Sequence, residues 1–427
     1  MRAPERTAVI NREHDQDAGR DSGDTAEQAG FRARVRDWHD RHATARSYDD
    51  LWRVPLYVDE ARGEESFRSG RAWQRTLFEH GWAGLTWPRA YGGGGGEPWQ
   101  ARIFSEVAAG YEEWPGFIGA TIAMLGPTLL RHGSEQQKLR FVPGLLSGEL
   151  AFCQLFSEPG AGSDLAGLAM RAERDGDEFV VNGQKVWNSQ AQFCDWGFLL
   201  VRTDPDAPKH RGITFLLVEM DSPGIEARPL VQMNGSAHFN EVFFDDVRVP
   251  AANVVGEIDG GWAPARTVLL NESAFIGDRT GASVVAPLSE LARRHGRLRD
   301  PLVRQRLVDS WARERMQRWM GETIQKAVRR GEPPPIDPGI MKLFAAESKR
   351  RSGDLATELG GLAVVAGTGE PARWARHELM GRYAVSIGGG TDEVMRNNVA
   401  ERALGLPREP GFDRDVPWRD IPMHHRS

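Results

Sequence analysis

The sequence predicts an α+β chain in three successive blocks: an N-terminal α-helical domain, a middle antiparallel β barrel or sandwich, and a C-terminal four-helix bundle. Apolar residues recur at helical spacing up to Leu150, short β-prone runs replace them between Ala151 and Pro250, and helical spacing returns from Gly261 to about Leu404. No G-x-G-x-x-G follows a strand, which disfavours alternating βαβ units and a nicotinamide-dinucleotide fold. The spans we assign are 1–30 as a disordered tail, 31–150, 151–255 and 256–406 as the three domains, and 407–427 as a polar tail.

Each element has its own reason. The first thirty residues are rich in Arg, Asp, Glu and Gly and hold few apolar side chains to fold around. Phe67 to His80 is an amphipathic helix with Phe67, Trp73 and Leu77 near one face, ended by Gly81-Trp82 and Trp87-Pro88. Gly92 to Gly96 is a loop, because a phosphate-binding reading would need Lys-Ser/Thr in a strand–loop–helix frame. Ile103 to Ala109, Ala120 to His132 and Glu135 to Leu146 are further helices, the last two parted by Gly133-Ser134.

In the middle block, Phe198 to Arg202, Ile213 to Glu219, Ile225 to Val231 and Val242 to Val249 read as strands. They are bounded by Asp204-Pro205, Arg211-Gly212 and Ser222-Pro223-Gly224. In the last block, Leu302 to Arg330 carries a one-sided stripe of Val303, Leu307, Trp311, Trp319 and Ile324. Gly331 to Gly339 and Gly367 to Pro371 separate the helices of a bundle. Beyond Leu406 the chain is polar and Pro-rich.

Composition narrows the function. The 427 residues carry a formal net charge of −6, which argues against a nucleic-acid binder. Two cysteines, Cys153 and Cys194, argue against a disulfide framework or a Cys-based metal site. No apolar stretch reaches membrane-spanning length and the N-terminus has no apolar signal region, so a cytoplasmic location is expected.

The most informative stretch is Ala151 to Trp187. An apolar run, Ala151 to Phe156, stops at Ser157-Glu158-Pro159, and Gly160 to Asp164 forms a small-residue loop. Asp175-Gly176 and Asn182-Gly183 flank Phe179-Val180-Val181 as two hairpin turn signals. Glycine backbone can approach a flat or anionic ligand closely. A plain inter-strand loop explains the same residues, and on this stretch alone it is the favoured reading.

The order GWAGLTWPRAYGG, HGSEQQKLRFVPGLLSGE, SEPGAGSD, DGDEFVVNGQKVW, FNEVFFDDVRVP and IGGGTDEVMRNNVAERALGLPRE resembles the acyl-CoA dehydrogenases over roughly Phe31 to Glu409. The resemblance implies FAD as cofactor, desaturation of an acyl-CoA or carrier-bound acyl thioester between Cα and Cβ, and electron transfer to an electron-transfer flavoprotein. It also implies a homotetramer or homodimer.

By the same resemblance, Gln154, Phe156 and Ser157 lie beside the flavin ring, and Trp187, Asn188 and Ser189 cover it. Thr391 touches the flavin or its ribityl region. Gln305, Gly360 and Gly361 receive the cofactor's far end, and Arg294 its pyrophosphate, although the usual Arg-x-x-Phe-Gly pattern is missing here. Neutral hydroxyls and N–H groups suit an electron-rich reduced flavin. Trp187 read as core and Gly360-Gly361 read as a helix terminator are the competing structural explanations. Ser163, Ser273 and Gly389 match substrate-lining positions.

Removing an α-proton needs a carboxylate in reach of the α-carbon. Many relatives place a glutamate where this chain has Gly389, so the resemblance points to the subgroup lacking that residue. A minority carry the base on the first helix of the C-terminal block, which here is Glu272 in VLLNESAF. Val268, Leu269, Phe275 and Ile276 share its helical face, and an apolar face raises a carboxylate's pKa and strengthens it as a base. Pairing with an arginine at a subunit contact is the other reading of Glu272. Ser273 stands where relatives often have arginine, a departure from ordinary CoA-thioester handling. Two other functions stay open: an oxygen-using flavin monooxygenase or oxidase of this fold, and a non-catalytic partner subunit of a hetero-oligomeric dehydrogenase.

Overall fold

Thr25 and Gln28 open the first helix with a capping box, each side chain satisfying a backbone N–H of the other's neighbourhood, so α1 (Ala26–His42) starts inside the expected tail. The computed structural model describes residues 24–46, 51–52, 54, 63–112, 116–278, 283–330, 332–408, 410–411, 413 and 415–422. Most of the expected N-terminal tail and the last residues of the chain lie outside the described residues.

Four more helices complete the first block: α2 (Gly63–Glu79), α3 (Pro98–Ala108), α4 (Gly116–His132) and α5 (Glu135–Ser147). The buried face of α2 includes Phe67, Gly70 and Gln74. The glycine loop before α3 folds back on the chain, with the N–H groups of Gly93 to Gly96 donating to Pro88, Gly84, Trp87 and Leu85 carbonyls.

The middle block contains β1 (Phe152–Leu155), β2 (Arg171–Asp175), β3 (Glu178–Ser189), β4 (Trp196–Arg202), β5 (Ile213–Glu219), β6 (Ile225–Leu230) and β7 (Phe239–Pro250). They form one curled seven-stranded sheet of order β1-β4-β2-β3-β7-β6, with β5 paired to β4. Most pairs are antiparallel, but β1 runs parallel to β4 and Arg171 of β2 meets Arg202 of β4 in parallel register. Both strands therefore use one edge of β4 in succession, and the SEPGAGSD loop passes between them.

Asp175-Gly176 is a turn, as expected. Asn182-Gly183 is not: β3 runs straight through it as a bulge opposite β7. The Asn182 side chain exchanges two 2.9 Å hydrogen bonds with Asp246 there, replacing ladder bonds lost at the bulge. Gly183 has φ +143°, and a Cβ would lie 2.8 Å from Met170 Cγ.

The third block comprises α6 (Trp262–Asp278), α7 (Val285–Arg294), α8 (Pro301–Arg329), α9 (Pro338–Gly360), α10 (Leu362–Ala366), α11 (Glu370–Gly381), α12 (Ala384–Ile387) and α13 (Asp392–Asn398). Helix α9 is its beam, packing against α6, α7, α8, α11, α12 and α13. Helix α6 docks on the sheet: Ala265 and Val268 join Phe141, Leu145, Phe152, Phe198 and Phe215 in a core shared by all three blocks.

The stripe expected on α8 is buried only at its start. Val303 and Leu307 pack with Leu291, Leu355 and Leu359, whereas Trp311 and Trp319 are 50% and 58% exposed. The C-terminal segment finds a place that its composition did not announce. Trp418 and Arg419 donate backbone N–H groups to Ala207 and Pro205, and the Trp418 ring lies 5.0 Å from the Arg202 guanidinium. No helix among the described residues is long and apolar enough to cross a membrane.

The bulge makes a testable demand. Gly183→Val is expected to lower stability by about 2 kcal/mol or more, from strained backbone and overpacking on Met170. Gly176→Ala, at a turn with open space, is expected to cost only about 1 kcal/mol. Urea midpoints of the two variants would refute this account of the bulge if they ranked the other way.

Candidate active site

A fully buried ion pair shapes the loop after β1. Lys185 Nζ lies 2.7 Å from Glu158 Oε1 and donates to the Phe156 carbonyl at 2.9 Å. Glu158 also accepts the N–H groups of Ala169 and Met170, at 2.7 and 3.0 Å. Burial pushes the Lys185 pKa down, and the Glu158 carboxylate opposes that shift. Arg202 closes the same region by donating to the Ala166 carbonyl at 2.7 Å. Glu158 and Lys185 thus hold the motif together rather than facing a ligand. The Phe156 ring packs edge-on to Phe198 and Phe215 in the core, so this predicted cofactor residue contributes no side chain to the site.

The tether brings two distant stretches side by side. Val186 N–H donates to the Ser157 carbonyl at 2.9 Å, and Asn188 Nδ2 donates to the Gln154 carbonyl at 2.7 Å. Between those contacts β3 bulges at Trp187, which has φ +64° and is 59% exposed, with Phe239 against its edge. Trp187 is therefore not core. A bulky residue in the left-handed region costs about 1–3 kcal/mol, so it is a position whose strain asks for a function. Asn188 is buried, with its Oδ1 lacking a partner, and Asn240 Oδ1 is in the same condition.

Glu272 reaches this bed from α6. Gln154 Nε2 lies 3.4 Å from Glu272 Oε2, and Ser273 Oγ donates to the Gly389 carbonyl at 3.2 Å. Val268 is buried, and Leu269 and Phe275 pack against the same core; the side chain of Ile276 lies outside the described residues. Burial raises the Glu272 pKa, partly offset by Gln154, the Gly389 N–H and the charge of Lys342. The balance is a carboxylate made more basic, with Gln154, Gly389 and Lys342 around it and no arginine paired to it among the described residues.

The remaining candidates are spread out. Thr391 caps α13 by accepting the Val394 N–H, which engages its hydroxyl structurally. Ser163 is exposed on its loop, and its neighbour Asp164 pairs with Lys209 at 3.1 Å. Arg294 and Gly360 line a surface pocket of about 240 Å³ between α7, α9 and α11. Arg294 is also held by Glu290 at 2.9 Å. Gly361, at φ +50°, caps α9, which supports the helix-terminator reading, and Gln305 is exposed on α8.

Lys185, Asn240 and Lys342 escaped the sequence reading. The one available signal was the lone lysine inside the apolar run Ile340–Phe344.

Comparison with known proteins gives the class. Residues 25–149, 153–247 and 282–404 match the N-terminal, middle and C-terminal domains of acyl-CoA dehydrogenase. The chain is 39% identical to the acyl-CoA dehydrogenase IpdE1 of Mycobacterium tuberculosis over 387 residues, 89% of this chain and 98% of that one. A Tcur3481-Tcur3483 steroid ACAD structure matches with a TM-score of 0.75 and 32% identity, covering 90% of this chain and 99% of that one. The ChsE4-ChsE5 complex of M. tuberculosis matches at 0.69 and 30%, covering 90% and 99%.

The chain belongs to the acyl-CoA dehydrogenase family. It is a flavoprotein oxidoreductase, and FAD is its cofactor. The bed fits such a group: an exposed indole on a strained bulge, uncharged Gln154, Ser157 and Ser189 alongside, and buried amide oxygens without partners.

Two variants test the bed. Lys185→Met leaves Glu158 buried and unpaired and is expected to cost about 3–5 kcal/mol in urea unfolding. Trp187→Gly relieves the left-handed strain, so flavin-free stability is expected to hold or rise while flavin dissociation becomes at least about tenfold easier. A Trp187→Gly chain that keeps its flavin but unfolds earlier would show that the ring is there for packing.

Proposed function

We propose that this chain desaturates an acyl-CoA between Cα and Cβ, with Glu272 as the base. The observation that carries the reading is the half-buried Glu272 carboxylate, its pKa raised by desolvation, beside Gln154, which itself lies next to Asn188 and the Trp187 bulge. Glu272 takes the α-proton onto its carboxylate as the Cα–Cβ double bond forms. When bound, FAD would supply the acceptor for the β-hydrogen and its electron pair. Gln154, Ser157, Trp187, Asn188 and Ser189 would hold the ring side, with Thr391 near the turn. Arg294, Gly360, Gly361 and Gln305 would take the far end from a neighbouring subunit.

Val268, Leu269 and Phe275 put an apolar core beside Glu272, and the Gln154 and Gly389 donors steady the ionised form. Ser163, Ser273 and Gly389 line the substrate's path in this reading, with an electron-transfer flavoprotein as acceptor. Two features favour a bulky, ring-bearing acyl group: the steroid enzyme among the structural neighbours, and the bare Gly388-Gly389-Gly390 turn opposite Glu272. The neighbours described as Tcur3481-Tcur3483 and ChsE4-ChsE5 support a two-component assembly over a homo-oligomer. The oxygen-using alternative drew its force from the missing C-terminal glutamate, and the raised pKa of Glu272 beside Gln154 favours the dehydrogenase reading over it.

Anaerobic flavin reduction by a panel of acyl-CoAs tests the proposal. Glu272→Gln is expected to slow reduction by about 10²–10⁴-fold with flavin content unchanged. Because the base must be ionised and its pKa is raised, the rate should climb with pH along a limb above the ordinary carboxylate value of about 4.3. Reduction of Glu272→Gln at the unmodified rate, or no reduction of the unmodified enzyme by any acyl-CoA, would contradict it.

A further inference from the structure

The turn opposite Glu272 has no side chain to fix it. Gly389 and Gly390 have φ +66° and +90°, so Gly388 to Gly390 presents only backbone to the carboxylate. Two outside groups hold it. From α6, Ser273 Oγ donates to the Gly389 carbonyl at 3.2 Å. From α9, Lys342 Nζ donates to the Gly390 carbonyl and lies 3.7 Å from Asp392 Oδ1.

Lys342 is completely buried, a costly place for an ammonium unless it does something that an apolar residue could not. Successive carbonyls are thus held by two different helices, and Ser273, which holds the first, is the residue next to Glu272; the Gly389 backbone also helps to keep the Glu272 pKa from rising further.

We propose that Lys342 is a positioning residue for proton abstraction: by gripping the Gly390 carbonyl it sets the turn that presents the Gly389 N–H to Glu272. This inference rests on Glu272 being the base. Lys342 acts in two ways, through the backbone and through its charge, and both favour ionised Glu272. Burial lowers the Lys342 pKa and Asp392, which Arg350 also holds at 2.6 Å, opposes that shift.

Other charged groups on elements packed against α6 have partners of their own: on α9, Glu347 pairs with Arg350 and Arg351, and Lys349 with Glu378. Among the described residues, Gln154 on β1 is uncharged. His132 on α4 bonds Thr267 at 2.8 Å, next to Arg131, and Glu219 on β5 faces Arg140 at 3.5 Å.

The test uses the flavin-loaded full chain and two readouts across pH. One is the rate of anaerobic flavin reduction by an acyl-CoA. The other is the infrared band of a protonated buried carboxyl, assigned by its loss in Glu272→Gln. Lys342→Met is expected to move the rising limb and the infrared titration together to higher pH. Each unit of displacement slows reduction about tenfold on the acid side. Asp392→Asn leaves the Lys342 charge less compensated and is expected to move both to lower pH.

A merely structural lysine would change stability or flavin content while leaving both titrations where they were, and that result would overturn the proposal. If Lys342→Met retains no flavin, Asp392→Asn decides: an unmoved or upward titration overturns the proposal and a downward one supports it. An inert Glu272→Gln beside an unmoved Lys342→Met removes the Lys342 inference alone. A fully active Glu272→Gln removes the base assignment and this inference with it.

Discussion

The buried pair of Lys185 and Glu158 is the constraint on which the site depends. Two charges without water must find every hydrogen bond they need from the protein, and here the partners are backbone groups on both sides of a loop. Satisfying Glu158 fixes where the chain re-enters at Ala169 and Met170. Satisfying Lys185 fixes the Phe156 carbonyl at the end of β1. With those ends set, Ser157 and Gln154 have one place to lie, beside Val186 and Asn188. The strain at Trp187 is then imposed on β3 by a neighbour that cannot move.

Gln154 joins this bed to the base. Its carbonyl receives Asn188 while its side-chain amide faces Glu272, so one residue of β1 serves the sheet and α6 together. The shared core makes that junction firm, because Val268 of α6 is packed against the same phenylalanines that line the sheet. On the far side, α9 supports α6 and the glycine turn at once. A carboxylate on a helix, backed by a sheet on one side and by a braced turn on the other, is held without any side chain at position 389. In the proposed function a glycine at position 389 is compatible with the chemistry, because Glu272 is supported by elements that do not depend on a side chain there.

Much of this was legible in the residues. The switch of period marked the three blocks, and Glu272 on an apolar helix face was picked out by spacing together with the family resemblance. Thr25 and Gln28 were readable as a capping box and would have started α1 at the right place. Other features were not legible, for physical reasons. Asn182-Gly183 has the composition of a turn, and only the partner Asp246, sixty-four residues away, makes it a bulge. Trp311 and Trp319 follow a helical stripe, but spacing does not say which residues of a stripe another element covers. Trp418 sits in a polar segment, and its place over Arg202 is a tertiary fact that no local pattern encodes. Phe156 falls among motif residues, yet strand alternation turns its ring into the core. Lys342 is the same kind of case: its burial is visible only once the turn at Gly390 is in place.

The central claim is that Glu272 removes the α-proton, and proton exchange tests it without relying on oxidation. An acyl-CoA analogue whose β-carbon is replaced by sulfur cannot give up a β-hydride, but its α-hydrogens can still be taken and returned. In deuterated buffer, the flavin-loaded enzyme is expected to wash deuterium into the α-position, followed by mass spectrometry of the recovered thioester. Glu272→Gln, with flavin and analogue still bound, is expected to leave the α-hydrogens in place. Exchange in that variant at the rate of the unmodified enzyme would contradict the account.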